Sequence, residues 1–174
     1  MVENFSMVSF FKASLLIGSL LFAIPWIQAQ ENPPIPVEVE VRNSRFLNFG
    51  TFTGGLNGGS VTIDYSGTRT ATGDVFLLNL GSPSSSALFD LTANPGTLIT
   101  ITTPGDVFLS GDGAISGQVR LVLNSFSTSQ TFITTAIPPL VNEIYVGGTL
   151  YIGDETQSPP GFYTGTYSLI FNYE

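Results

Sequence analysis

The last fourteen residues, GFYTGTYSLIFNYE over 161–174, constrain the fold of this chain more than any other stretch. From Tyr163 onward they alternate with a period of two. Tyr163, Gly165, Tyr167, Leu169, Phe171 and Tyr173 fall on one face, and Thr164, Thr166, Ser168, Ile170, Asn172 and Glu174 on the other. A helix would spread the first set around its circumference, whereas an extended chain turns successive side chains to opposite sides. The pattern predicts one β-strand from Tyr163 to the end, with its aromatic and aliphatic face buried. Such a strand either completes the sheet of its own domain or is offered to a partner.

The preceding residues carry the same signature in shorter pieces. Val37, Val39 and Val41 alternate with Glu38, Glu40 and Arg42. A strand is predicted over 45–52, a glycine turn over 54–59, a strand over 61–65, a turn over 66–69 and an apolar strand over 75–80. Beyond a loop at 81–86, strands at 88–92 and 98–103 are parted by Asn94, Pro95 and Gly96. Proline there fixes φ and glycine accepts a positive one, a strong turn signal. Further strands are predicted at 107–109, 118–126, 131–137 and 143–152, the last with a bulge or kink at Gly147 and Gly148. A polar loop at 154–160 leads into the closing strand. Many short strands joined by Gly, Pro and Asn turns, with no useful helical periodicity, define an all-β domain. The expected architecture is an immunoglobulin-like, Greek-key sandwich of antiparallel strands, with a closed barrel as the alternative.

At the amino end, the apolar run ASLLIGSLLFAIPWIQA at 13–29 follows Lys12 and precedes Pro33, Pro34 and Pro36. It is short for a membrane span. A positive residue, an apolar run and a small residue at Ala29 read as a signal peptide over 1–29. A proline-rich extension at 30–36 and a single domain over 37–174 would follow. The exported chain is expected in the periplasm, at the cell surface or outside, with no membrane insertion after cleavage. Removal of the leader takes away both Lys12 and Glu3, so the net charge of −8 is unchanged. The remaining cations, Arg42, Arg45, Arg69 and Arg120, are too few to neutralise a run of phosphates, which argues against a nucleic-acid partner. With no cysteine, stability must come from packing rather than disulfides.

The chain also contains no histidine, so serine or cysteine triads and most zinc sites lack their residue types. Asp154 and Glu155 are adjacent. Neighbours on a strand point apart, and neighbours in a loop are solvated, so they do not make a glycosidase pair. Asp106 and Asp112 supply too few oxygens for calcium. Trp26 falls in the leader, and most tyrosines lie on strand patterns, where core or cross-strand packing is the default reading rather than a sugar platform. No catalytic, cofactor-binding or metal-binding residue is expected, and no enzyme.

Three stretches, taken in order, carry a resemblance: LNFGTF at 47–52, GTRTATG at 67–73, and VGGTL at 146–150 continuing to GFYTGTY at 161–167. Together they resemble the bacterial secreted domain of unknown function numbered 4402, related in style to spore coat protein U and to pilin-like subunits. The resemblance covers nearly all of 37–174. It implies a pilin-like sandwich at the cell surface and brings no established activity. The closing stretch also resembles the C-terminal signature of chaperone–usher pilins. Gly161 stands fourteenth from the end, Tyr173 is penultimate, and Tyr167, Leu169 and Phe171 take the alternating places. That resemblance implies capture of the strand by a periplasmic chaperone, then by the N-terminal arm of a homologous subunit, through β-strand addition. A plain final core strand remains equally open from the residues themselves. The cysteine pair of many pilins is absent. Val37, Val39 and Val41 are the one candidate arm, and they read equally as the first strand of the domain.

The function expected is that of a non-enzymatic secreted structural subunit of a bacterial cell-surface appendage or coat. The alternative is a monomeric adhesive or ligand-binding module that uses loops 54–59, 81–86 and 154–160 on a strand scaffold.

Overall fold

The computed structural model describes residues 35–81, 83–112 and 117–174. The expected signal peptide at 1–29 and the extension up to residue 34 lie outside the described residues. Every regular element described is a strand: β1 (Glu38–Val41), β2 (Thr51–Ile63), β3 (Arg69–Leu78), β4 (Ala87–Thr92), β5 (Leu98–Thr102), β6 (Val107–Gly111), β7 (Gln118–Phe126), β8 (Thr131–Ile133), β9 (Asn142–Ile152), β10 (Tyr163–Thr164) and β11 (Ile170–Tyr173). All pairings are antiparallel. An eight-stranded sheet runs β1-β4-β9-β7-β6-β10, with the β2–β3 hairpin joined to it through β9. A three-stranded sheet runs β11-β5-β8. The chain is an antiparallel β-sandwich, and it passes between the sheets at β4–β5, β5–β6, β7–β8, β8–β9 and β10–β11.

β9 is the strand on which the large sheet is hung. Its first half pairs with β4, from Leu91↔Asn142 to Ala87↔Val146. Its second half pairs with β2, from Ile63↔Gly148 to Gly59↔Ile152. The change of partner falls at Gly147, where a Cβ would run into the carbonyl oxygen of Ile63 and the backbone of Asp64. Only glycine lets the end of β2 come so close. On the other side, β7 follows both halves, with its register slipping between Val122 and Ser125. The bulge expected at the paired glycines is present, with its extra residue on β7.

The core lies between the two sheets. Ile99 and Ile101 of β5 pack with Val61, Ile63, Leu91, Val119, Leu121, Ile144 and Val146 of the large sheet, all essentially buried. Each such side chain stabilises the fold by about 1.5–3 kcal/mol relative to exposure. The alternation in β7 buries Val119, Leu121 and Leu123 and turns the intervening residues outward. Buried Thr134 is fully satisfied: its hydroxyl donates to the Asn94 carbonyl at 2.6 Å and accepts from the Thr97 amide at 3.1 Å. That bond set ties the Asn94–Gly96 turn to the end of β8, as buried polar groups require.

Three expectations are corrected. The strand expected over 45–52 reduces to one bridge, Asn48↔Ser85, before β2 begins at Thr51. Asn48 Oδ1 accepts from the Gly50 amide at 2.9 Å, and Gly50 has a φ of 67°, so the chain turns there. The glycines at 54–59 are not a turn: they lie inside β2, where the register against β3 slips between Gly54 and Gly59. The one reversal in this part of the chain is at Asp64–Thr68, beside the turn expected at 66–69, and it is closed by Gly67 at a φ of 90°. The closing strand is also broken, with no strand at residues 165–169.

Candidate functional site

The closing segment is split between the two sheets. β10 pairs with β6 through Tyr163↔Gly111 and Thr164↔Ser110. Residues 165–169 form no strand, and β11 then pairs with β5 from Ile170↔Thr102 to Tyr173↔Ile99. The alternation nevertheless selects the inward face. Tyr163, Tyr167, Leu169 and Phe171 pack against the core, although each is only partly buried. Phe89 on β4 meets the rings of Tyr167 and Phe171 at centroid distances of 6.5 and 6.1 Å. Burial pushes the Tyr167 hydroxyl pKa up to about 12. Two of the expected site residues do not join this packing. Gly161 is exposed and lies before β10, and Tyr173 is 63% exposed.

β11 pairs with β5 alone, so its far edge is unpaired among the described residues. The Glu174 amide donates to the Leu98 carbonyl at 3.1 Å. Antiparallel pairs alternate between bonded and non-bonded, so Asn172 and Ile170 bond toward β5. The amides of Phe171 and Tyr173 therefore face the free edge.

Val37, Val39 and Val41 lie in or beside β1, which pairs with β4 from Glu38↔Thr92 to Val41↔Phe89. Val37 and Val39 pack against the core, and Val41 is 55% exposed. Arg42 fastens the end of β1 through a forked bond to Asp90, at 2.7 and 2.8 Å. The valines are thus the first strand of the domain in this structure.

The loop at 154–160 forms one wall of an open groove of about 830 Å³ on the outer face of the large sheet. Its floor is a row of three cross-strand neighbours: Phe108 opposite Arg120, and Arg120 opposite Tyr151. The Arg120 guanidinium lies 4.3 Å from the Tyr151 ring centroid, and its Nη1 donates to Asp106 at 2.7 Å. The loop is shaped by Asp154, whose pKa is held below the usual carboxylate value by the Thr156 hydroxyl and then by the Gln157 amide. No local motif marks the row, since its residues come from β6, β7 and β9. The available signal was two aromatics on outward strand positions, Phe108 between Val107 and Leu109 and Tyr151 between Leu150 and Ile152. Tyr151 packs across the strands against Arg120, as expected of a strand tyrosine, and still leaves 40% of its surface exposed. The loop at 81–86 borders a smaller hollow beside Arg69, whose guanidinium donates to the carbonyls of Phe49, Thr51 and Leu78.

Among the described residues, no three His, Cys, Asp or Glu side chains gather as a metal cluster, and no helix is long and apolar enough to cross a membrane. The family model described as Domain of unknown function (DUF4402) matches residues 39–173. The chain belongs to the DUF4402 family. The match begins within β1 and ends at the last residue of β11, so the DUF4402 domain takes in both the paired valine strand and the split closing segment. No curated protein and no solved structure matches the chain.

Proposed function

We propose that this DUF4402 protein is a non-enzymatic structural subunit, exported by a bacterium to a surface appendage or coat and joined to its partners by strand addition at β11. The reading draws on the pilin-like closing signature and on the leader-like amino end. The observation that carries it is the unpaired edge of β11 beside a partly buried apolar face. A strand laid along that edge would gain backbone hydrogen bonds from Phe171 and Tyr173. Its apolar side chains would finish burying Tyr167, Leu169 and Phe171. A periplasmic chaperone would hold the edge during transit and a homologous subunit afterwards. β1 already serves its own sheet, so the added strand is one that the partner carries elsewhere.

The test is Tyr173→Pro, with Tyr173→Phe as control. Proline removes an amide that faces the free edge without removing a β5–β11 bond, and proline is tolerated on edge strands. The isolated domain should melt near the wild-type temperature, while sedimentation and surface fractionation show assembly lost. A folded Tyr173→Pro protein that assembles at wild-type yield would refute strand addition at β11.

A further inference from the structure

The outer-face groove has a composition that selects a class of ligand. Phe108 is 57% exposed and Tyr151 40%, so its floor presents aromatic surface to solvent. Strands lie about 4.8 Å apart, which places Phe108 and Tyr151 roughly 10 Å from each other with Arg120 between. Arg120 is a flat, fixed plate, stacked on Tyr151 and held by Asp106. Gln118, Thr156 and Gln157 add polar side chains around this floor.

The wall is built in advance. The Gln118 amide donates to the Gln157 carbonyl at 3.2 Å, and Ser158 Oγ donates to the Gln118 carbonyl at 3.0 Å. The Gly153 amide donates to Ser158 Oγ at 3.0 Å, and the Tyr163 hydroxyl to the Pro159 carbonyl at 2.6 Å. Pro159 and the Tyr163 hydroxyl sit so close over Gly117 that a Cβ there would strike both. A wall held this way loses little freedom when a ligand arrives.

Charge narrows the choice. Arg120 is the one charged residue among the described lining residues, and Asp106 neutralises it. The whole chain carries a net charge of −8, which repels polyanions, and no lining carboxylate offers a cation a seat. A purely apolar ligand would strand the amide and hydroxyl groups of the walls. What remains is a neutral molecule with flat C–H faces to lie on rings and with hydroxyls around its rim.

We propose that the groove formed by Phe108, Arg120, Tyr151 and the 154–160 loop binds a neutral oligosaccharide. This site is on the outer face of the large sheet and does not depend on strand addition at β11. The experiment is calorimetric titration of the exported chain with cellohexaose, xylohexaose, maltohexaose and mannohexaose. Hexagalacturonate and a neutral Ser/Gly-rich decapeptide serve as comparisons. At least one neutral hexasaccharide should bind, with an affinity unchanged between low and high salt. Phe108→Ala should weaken it tenfold or more, and Gln157→Ala several-fold. Phe76→Ala, an equally exposed aromatic on β3 outside the groove, should leave it unchanged. Arg120→Lys, which loses the flat stacked plate, should also weaken it. Absence of binding by all four sugars at millimolar concentration would overturn the proposal. So would binding indifferent to Phe108→Ala in a folded variant, preference for hexagalacturonate, or Phe108-dependent binding of the peptide alone.

Discussion

Phe171→Ala measures how firmly the closing segment is held in the free domain. A fully buried phenylalanine truncated to alanine costs about 3–5 kcal/mol. Phe171 is mostly but not fully buried, so about two-thirds of that loss or more is expected, about 2–4 kcal/mol. Its tilted contact with Phe89, at 6.1 Å and 48°, accounts for about 0.5–1.5 kcal/mol of this. The loss corresponds to about 4–16 °C in melting temperature for a domain of this size. Asn172→Ala, on the exposed face of the same strand, should cost under about 0.5 kcal/mol. Denaturant melts of Phe171→Ala, Phe89→Ala and the double variant give the coupling directly, and it should match the ring-contact share. A Phe171→Ala cost no larger than that of Asn172→Ala would show the wrong face of β11 turned to the core, and the register with β5 would fall with it. An added strand would bury Phe171 further, so the same substitution should cost more in an assembly than in the free domain.

Gly147→Ala should destabilise by about 1–3 kcal/mol or more, because the new methyl meets the backbone of Ile63 and Asp64; a chemical melt equal to wild type would show that β9 does not change partners there. Tyr167 gives a pH signature: its folded pKa, about 12, stands above the ordinary 10.0. Stability from keeping that hydroxyl neutral is complete below pH 10 and is lost as the pH rises from there through about 12. Alkaline unfolding followed by tyrosinate absorbance should therefore move to higher pH in Tyr167→Phe, and an unmoved transition would refute the assigned burial.

Much of the fold was legible because strand alternation is a local property. β7 was readable to the residue, since Val119, Leu121 and Leu123 alternate within clear polar bounds. The closing segment shows the limit of that reading. Both sheets turn their inner faces to the same core, so Tyr163, Tyr167, Leu169 and Phe171 keep one apolar rhythm while the chain leaves one sheet and joins the other. Periodicity reports which side faces the core, and it says nothing of which sheet supplies the hydrogen bonds. The glycines at 54–59 misled for a related reason: a bulge inside a long strand and a turn between two strands ask for the same residue. The groove was hidden because Phe108, Arg120 and Tyr151 become neighbours only through the registers of three strands.

The placement of β9 also governs the order in which the molecule can form. The β2–β3 and β6–β7 hairpins are made of near neighbours in the chain and can close early. Among the described residues, the large sheet joins one hairpin to the other through β9 alone, which pairs with β2 and β7 at once. Its contact with β2, Gly59 to Ile152, spans most of the domain. Loop closure of that length must be met before the β2–β9 bonds reward it, which slows completion of the sheet. Until β9 arrives, both hairpins present unpaired edges and an uncovered apolar face, so the chain's most vulnerable moment comes late in its folding.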